Sequence, residues 1–144
     1  MELPSSLTFE LVTPDRALVR EAVDEVQIPG MEGSLGVLPG HTPLLTTLQI
    51  GELWFRLGEE KFYVSVAFGF AEVLPDHVTI LAQVAERAED VDMARAEEAQ
   101  RRAHERLDRT SGDIDFERAR IALMKSLIRL QVSSKVRVRP QARM

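Results

Sequence analysis

The sequence predicts a mixed fold, β first and then α: an N-terminal antiparallel β-sandwich followed by a C-terminal two-helix antiparallel hairpin. Three observations predict it. Up to about Glu86 the apolar residues alternate with polar ones, the period of a strand with one buried face. From Pro29 to Pro43, seven glycines and prolines fall within fifteen residues, which spells tight turns. Beyond Glu86 the alternation stops, and two long stretches free of Gly and Pro flank one short break. These changes set the boundaries at 1–86 for the sandwich, 87–132 for the hairpin and 133–144 for a flexible basic tail.

The strands follow in order. Leu7, Phe9 and Leu11 alternate up to the turn at Pro14–Asp15, and Val23, Val26 and Ile28 lead to Pro29–Gly30. Leu53, Phe55 and Leu57 run to Gly58, Phe62, Val64 and Val66 continue, and Val78, Ile80 and Ala82 follow the turn at Pro75–Asp76. Short strands with turn signals this regular read as a sandwich or barrel. Within Pro29–Gly51 the residues Leu35, Val37, Leu38, Leu44 and Leu45 stand between the turns. A disordered linker would not carry so many aliphatic side chains, so this segment is expected to be packed and these five buried.

In the helical half, Asp90 or Asp92 can cap a helix running from Met93 to Arg109. Thr110–Ser111–Gly112–Asp113 breaks it, with Gly112 suited to a left-handed stop and Asp113 to a new N-cap. A second helix is expected from about Ile114 to Val132, and so short a loop makes the two antiparallel neighbours. The expected seam joins Ala96, Ala99, Ala103 and Leu107 to Phe116, Ala119, Leu123, Leu127 and Leu130. Alanines bury little: at ~0.8 kcal/mol per CH2-sized group, their share is only a few kcal/mol, close to the ordering cost. A stable hairpin and one that opens both fit such a seam, and the open state is expected to be accessible.

The 144 residues include no cysteine, which excludes disulfides and thiolate chemistry. No apolar run reaches the ~20 residues of a membrane span, so any membrane association is expected to come through another subunit. The net charge of −5 is unevenly spread: residues 1–90 hold 15 acids and 5 bases, and residues 111–144 hold 3 acids and 8 bases. An acidic body with a basic end suits docking on an acidic protein surface, whereas nucleic acid is not expected. His41, His77 and His104 sit in a loop, a turn and a helix with no second ligand at metal spacing, and His77 reads as a solvated turn residue. With no Ser elbow and no Walker loop, catalysis, a metal and a required cofactor are not expected.

Two stretches carry a family resemblance: EGSLGVLPGHTPLLTTLQIGEL at 32–53 and FAEVLPDHVTILAQVAERAEDVDMARA at 70–96. In this order they resemble the epsilon subunit of the F-type, proton-translocating ATP synthase, over roughly residues 6 to 130. The resemblance implies a non-catalytic rotor subunit of the central stalk that couples proton-driven rotation to ATP synthesis. Its sandwich would bind the γ subunit and the c-ring, and its helices would restrain ATP hydrolysis by the α/β catalytic subunits. It implies Met31, Glu32 and Ser34 as c-ring contacts, with His41 and Thr42 at the same end of the sandwich. It also places the protein peripherally on the cytoplasmic face of a bacterial inner membrane, or on the stromal face of a thylakoid.

Some bacterial members of that family bind ATP as a regulatory ligand, and Val91–Ala96 resembles their motif. By that resemblance the ATP-binding residues are Glu86, Asp92, Arg95, Ala96, Arg102, Lys125 and Arg129, with Lys125 a point charge lacking the planar fork of arginine. The seven-residue spacing of Arg95 and Arg102 and the four-residue spacing of Lys125 and Arg129 put each pair on one helix face. Ordinary solvated helix surface has the same composition. Arg118, Lys125 and Arg129 are implied as the inhibitory contact with β. Phe68 departs from the small residue the family often carries beside the following glycine, and is expected to fill the core or to meet γ. The rival reading is a stand-alone nucleotide-sensing or scaffolding module, which would be monomeric and would not travel with γ.

Overall fold

The alternating half of the chain folds into eight strands. The computed structural model describes residues 2–109 and 112–138. The chain divides into two units, one ending at Arg87 and the other beginning at Ala88. In the first, β1 is Leu7–Val12, β2 Ala17–Val23, β3 Glu25–Gly30, β4 Gly33–Val37, β5 Leu44–Leu48, β6 Gly51–Leu57, β7 Glu60–Leu74 and β8 His77–Arg87. The hydrogen-bonded order is β2-β1-β8-β7-β5-β3-β4, and β6 pairs with both β3 and β7, folding the sheet back on itself. Among the described ladders the pairing is antiparallel, except that β1 runs parallel to β8. No tight turn joins those two strands, so their relative direction is free.

The long strand β7 serves both layers. Its residues 60–66 pair with β6, and its residues 69–73 pair with β5. The set of side chains it gives to the core changes with the layer: Phe62, Val64 and Val66 first, then Ala71 and Val73. In β8 the core set changes likewise, from Val78, Ile80 and Ala82 to Ala85. Strand side chains alternate strictly, so a change from even to odd positions needs a backbone irregularity. It lies at Phe68–Gly69, both with positive φ, 63° and 128°. A Cβ on Gly69 would sit 2.0 Å from the Leu81 carbonyl oxygen, so this corner admits glycine and nothing larger.

Leu7, Phe9, Leu11, Val26, Ile28, Leu53, Phe55, Val78 and Ile80 are fully buried. Phe55 lies between Phe9 and Phe62, with ring centroids at 5.1 and 5.2 Å. Every apolar run read as a strand lies in strand structure, and all but one fall in a single strand. Val23 and Val26, read as a single run, belong to two strands that turn at Asp24. No Gly or Pro marks that turn because side chains hold it: the Gly58 amide donates to the Asp24 carboxylate at 2.7 Å, and Arg56 donates to Glu25 at 2.9 Å and to the Gly58 carbonyl at 2.7 Å.

The turn-rich segment Pro29–Gly51 contains β4 and β5, which its Gly and Pro content conceals. The expectation that its five aliphatics are buried is corrected. Val37 is buried and Leu35 packs on the core, but Leu38, Leu44 and Leu45 are exposed, Leu45 at 70%. Phe68 does not belong to the core cluster, which corrects the reading of it as core filler.

In the second unit a 3-10 turn, Ala88–Asp90, precedes α1, Met93–Arg109, and α2, Asp113–Val138. Asp92 is the cap: its Oδ1 accepts the Arg95 amide at 3.1 Å, and its carbonyl accepts the Ala96 amide at 3.0 Å. The helix expected to end at Val132 runs on, so residues 133–138 are helical and not a flexible tail. Two serines do not stop it, since Ser134 returns its hydroxyl to the Gln131 carbonyl at 2.7 Å, and the first true breaker is Pro140. The Thr110–Ser111 break and the stretch from Arg139 to Met144 lie outside the described residues.

Candidate functional site

The sandwich leaves apolar side chains facing solvent along a row that crosses four strands. Thr47 on β5 pairs with Phe70 on β7, Phe70 with Leu81 on β8, and Leu81 with Val12 on β1. No charge interrupts this row, while the next row holds Glu72 and Glu10. Phe70 is 53% exposed, Leu81 52% and Val84 50%, and Leu45 lies one diagonal from Phe70. Scattered exposed leucines are ordinary, but a group of exposed apolar residues on one sheet face marks a place where something docks. Sequence reading missed it, because the alternation that builds the core assigns no purpose to the outward residues.

The turn between β3 and β4 consists of Met31 and Glu32, flanked by the paired Gly30 and Gly33. Met31 is 58% exposed, and Glu32 and Ser34 are also exposed. The Met31 amide donates to the Thr47 carbonyl at 2.9 Å, which fixes the turn against β5. His41 and Thr42 occupy the loop before Leu44, where the Gly40 amide donates to Pro75 at 2.7 Å. The two groups therefore lie against opposite ends of β5, on the order of 10 Å apart at the usual strand rise. The His41 Nδ1 donates to the Thr42 carbonyl at 2.6 Å, so its ring orders the loop. His77, read as a solvated turn residue, is half-buried, and its Nε2 lies 2.9 Å from Glu10 Oε1. The parallel β1–β8 pairing brings the two together, and no local pattern announces a pairing so distant in the chain.

In the hairpin, the buried seam is Ala96 and Ala103 on α1 and Ala119, Ser126, Val132 and Ser133 on α2. Two expected seam residues are corrected: Phe116 and Leu127 are exposed, and the fully buried positions of α2 include 119, 126 and 133, spaced by seven, with Leu123 and Leu130 half-buried. Serine passes for a surface residue in sequence, yet Ser126 satisfies its hydroxyl on the Leu123 carbonyl at 2.8 Å and packs as a small residue. Small residues here demand close helix approach. Ala103→Leu is therefore expected to destabilise the hairpin by about 1–3 kcal/mol through overpacking. Urea titration of helical circular dichroism measures it, with fluorescence of Trp54, the single tryptophan, reporting an unmoved sandwich.

Each proposed basic residue Arg95, Arg102, Arg118 and Lys125 directly precedes a seam residue, Ala96, Ala103, Ala119 or Ser126. On antiparallel helices, positions one before the seam turn to the same side, and Arg129, three beyond Ser126, points between that side and the seam. The hairpin thus gathers five cations on one side. Arg95, Arg102 and Arg118 are exposed, and Lys125 and Arg129 half-buried. Asp92 already serves as helix cap and Ala96 as seam, while Glu86, opposite Ser65 on β8, belongs to the other unit. Away from the seam, Arg101 holds the Glu98 carboxyl, and Arg120 the Glu117 carboxyl, below the usual carboxylate range by hydrogen bonding. Among the described residues no group of acids and histidines is arranged to hold a metal.

Comparison with known proteins accounts for both units. Residues 6–88 match the model of the ATP synthase delta/epsilon chain beta-sandwich domain, and residues 89–134 match that of its long alpha-helix domain. The ATP synthase epsilon chain of Koribacter versatilis is 54% identical over 110 residues, covering 76% of this chain and 77% of its own. That of Syntrophobacter fumaroxidans is 44% identical over 133 residues, covering 92% and 99%. A chain in the mitochondrial ATP synthase of Euglena gracilis (OSCP/F1/c-ring) shares the fold, with TM-score 0.79 and 23% identity over 96% of this chain and 85% of that one. A chain from the central stalk and c-ring of the Tetrahymena thermophila enzyme gives TM-score 0.53 and 17% identity, covering 90% and 95%. Two domain models matched in chain order, and relatives covered over most of their length, establish that the chain belongs to the ATP synthase delta/epsilon chain family.

Proposed function

We propose that this chain is the epsilon-type subunit of an F-type ATP synthase central stalk, itself non-catalytic, with the sandwich as its grip and the hairpin as its regulatory arm. The observation that carries the reading is the uncharged row through Phe70 and Leu81 on a domain of this family, a surface suited to permanent burial against the γ shaft. Met31 and Glu32 from the exposed β3–β4 turn, with Ser34 beside them on β4, meet the c-ring, and His41 and Thr42 shape the loop at the other end of β5. Coupling of rotation to synthesis then needs only a rigid connection, which a closed β-structure supplies. The subunit sits on the cytoplasmic face of a bacterial membrane through its partners, and no described helix is long and apolar enough to cross a membrane.

The cationic side of the hairpin holds ATP when the arm is folded. Arg95 and Arg102 from α1 reach the phosphates beside Lys125 and Arg129 from α2, and Asp92 accepts from adenine or ribose. When the arm extends, Arg118, Lys125 and Arg129 meet acidic groups on β and restrain hydrolysis. A charge-assisted hydrogen bond to phosphate is worth about 1.5–3 kcal/mol, so Arg95→Ala is expected to weaken ATP binding tenfold to a hundredfold. Isothermal calorimetry with the full chain measures this; equal heats for both proteins would sink the nucleotide site. Reconstitution with α, β and γ tests the arm. Hydrolysis should rise when residues 88–144 are removed, and an unchanged rate would leave the hairpin without a regulatory role.

A further inference from the structure

We infer that the last turns of α2, at Val132 and Ser133, clasp the 3-10 connector Ala88–Asp90 and so hold the hinge of the arm shut. The inference rests on the regulatory-arm reading above and names the contact that has to release before the arm can extend. It begins with a difference in length. α1 has 17 residues and α2 has 26. The end of α2 therefore runs past the start of α1, by roughly 13 Å at the helical rise. Turns that outrun a partner helix are ordinarily exposed. Here Val132 is 0% exposed and Ser133 5%, while Leu123, Leu127 and Leu130 of the same helix are all more open. The 3-10 turn accounts for the difference. α2 packs against it as well as against α1, and Ala88 at its head is buried too.

The connector is the covalent link between the two units, since the first ends at Arg87 and the second begins at Ala88. A swing of the arm is taken up by backbone rotation in these few residues. Their own restraint is slight. The turn has three residues, and the Val91 amide reaches the Ala88 carbonyl only at 3.4 Å, a long hydrogen bond. Packing against α2 supplies the rest. Among the described residues Val132 is the largest apolar side chain that α2 buries completely, so the apolar part of the clasp falls to it. Departure of the last turns of α2 and release of the hinge are then one event.

Hydrogen exchange of the full chain reads the connector directly, because amides exchange as their segment opens. Val132→Asp sets a carboxylate in a fully buried position and should speed exchange across residues 88–92 about tenfold or more, with the centre of α1 and the sandwich within about twofold. Ala119→Asp, towards the other end of α2, should leave residues 88–92 within about twofold. If both variants speed the connector equally, the hairpin opens as one body and the clasp is overturned. It is equally overturned if Val132→Asp leaves residues 88–92 unchanged. Should Val132→Asp lose its helical circular dichroism, Val132→Ala carries the comparison, with an expected rise of about twofold to tenfold. Reconstitution with α, β and γ separates this inference from the arm reading. Where removal of residues 88–144 raises hydrolysis, Val132→Ala should lower it by about twofold or more, since an arm released more readily restrains more. An unchanged rate there would overturn the clasp as a gate. Where that removal changes nothing, the regulatory reading fails, and exchange alone decides the clasp.

Discussion

Gly69→Ala is expected to leave the sandwich largely unfolded. The added Cβ would lie 2.0 Å from the Leu81 carbonyl oxygen and 2.9 Å from the Ala82 Cα, both backbone atoms in the neighbouring strand that cannot step aside. The residue also has φ 128°, where an L side chain is strained before any neighbour is considered. A loss of more than about 4 kcal/mol follows from the clash and strain together, a large part of the 5–15 kcal/mol that holds an ordinary domain. Gly33→Ala is the matched control. It has the same φ of 128°, but a Cβ there meets nothing within 4 Å. That variant bears strain without collision and should lose only about 1–2 kcal/mol. Urea titrations followed by Trp54 fluorescence measure both. Equal losses at the two positions would mean that β7 and β8 separate freely, and the corner would then not be the fixed point described here.

The same corner marks how far the sequence could be read. Alternation announced five strand segments because each has a buried face, and the hairpin announced itself by its lack of Gly and Pro. The β2–β3 turn at Asp24 was silent, since an Asp, a Glu and an Arg hold it where punctuation residues usually would. The strands β4 and β5 were hidden by the glycines and prolines that join them. The switch from even to odd core positions at Phe68 could not be read, because a phenylalanine gives no local sign of positive φ. On the hairpin the alanines were legible as a seam, but Ser126 and Ser133 were not, since serine is ordinarily a surface residue. The cationic side was legible because helix spacing fixes which residues share a face. The apolar face was not, for it depends on which strands pair, and pairing such as that of Phe70 with Leu81 emerges only in three dimensions.

Leu81→Glu is expected to abolish stable association with γ, by a hundredfold or more, while leaving the isolated protein nearly as stable as before. The two halves of the expectation have one cause. Leu81 is 52% exposed, so in the free subunit a carboxylate there stays in water and loses little apolar burial. In the complex the same carboxylate would sit between Phe70 and Val12, in the middle of a row with no cation to pair it. Burying an unpaired charge costs several kcal/mol, and each 1.4 kcal/mol is a factor of ten in affinity. Ionic strength then separates this surface from the hairpin. Any partner contact made by Arg118, Lys125 and Arg129 would weaken as salt screens it, whereas apolar burial would not. Pull-down of γ by the natural chain should therefore persist in 0.5–1 M salt, roughly where the Debye length falls towards 3 Å, and should be lost with Leu81→Glu at any salt. A complex that dissolves in high salt yet tolerates Leu81→Glu would move the grip from the sheet face to the charged surfaces, and the uncharged row would need another occupant.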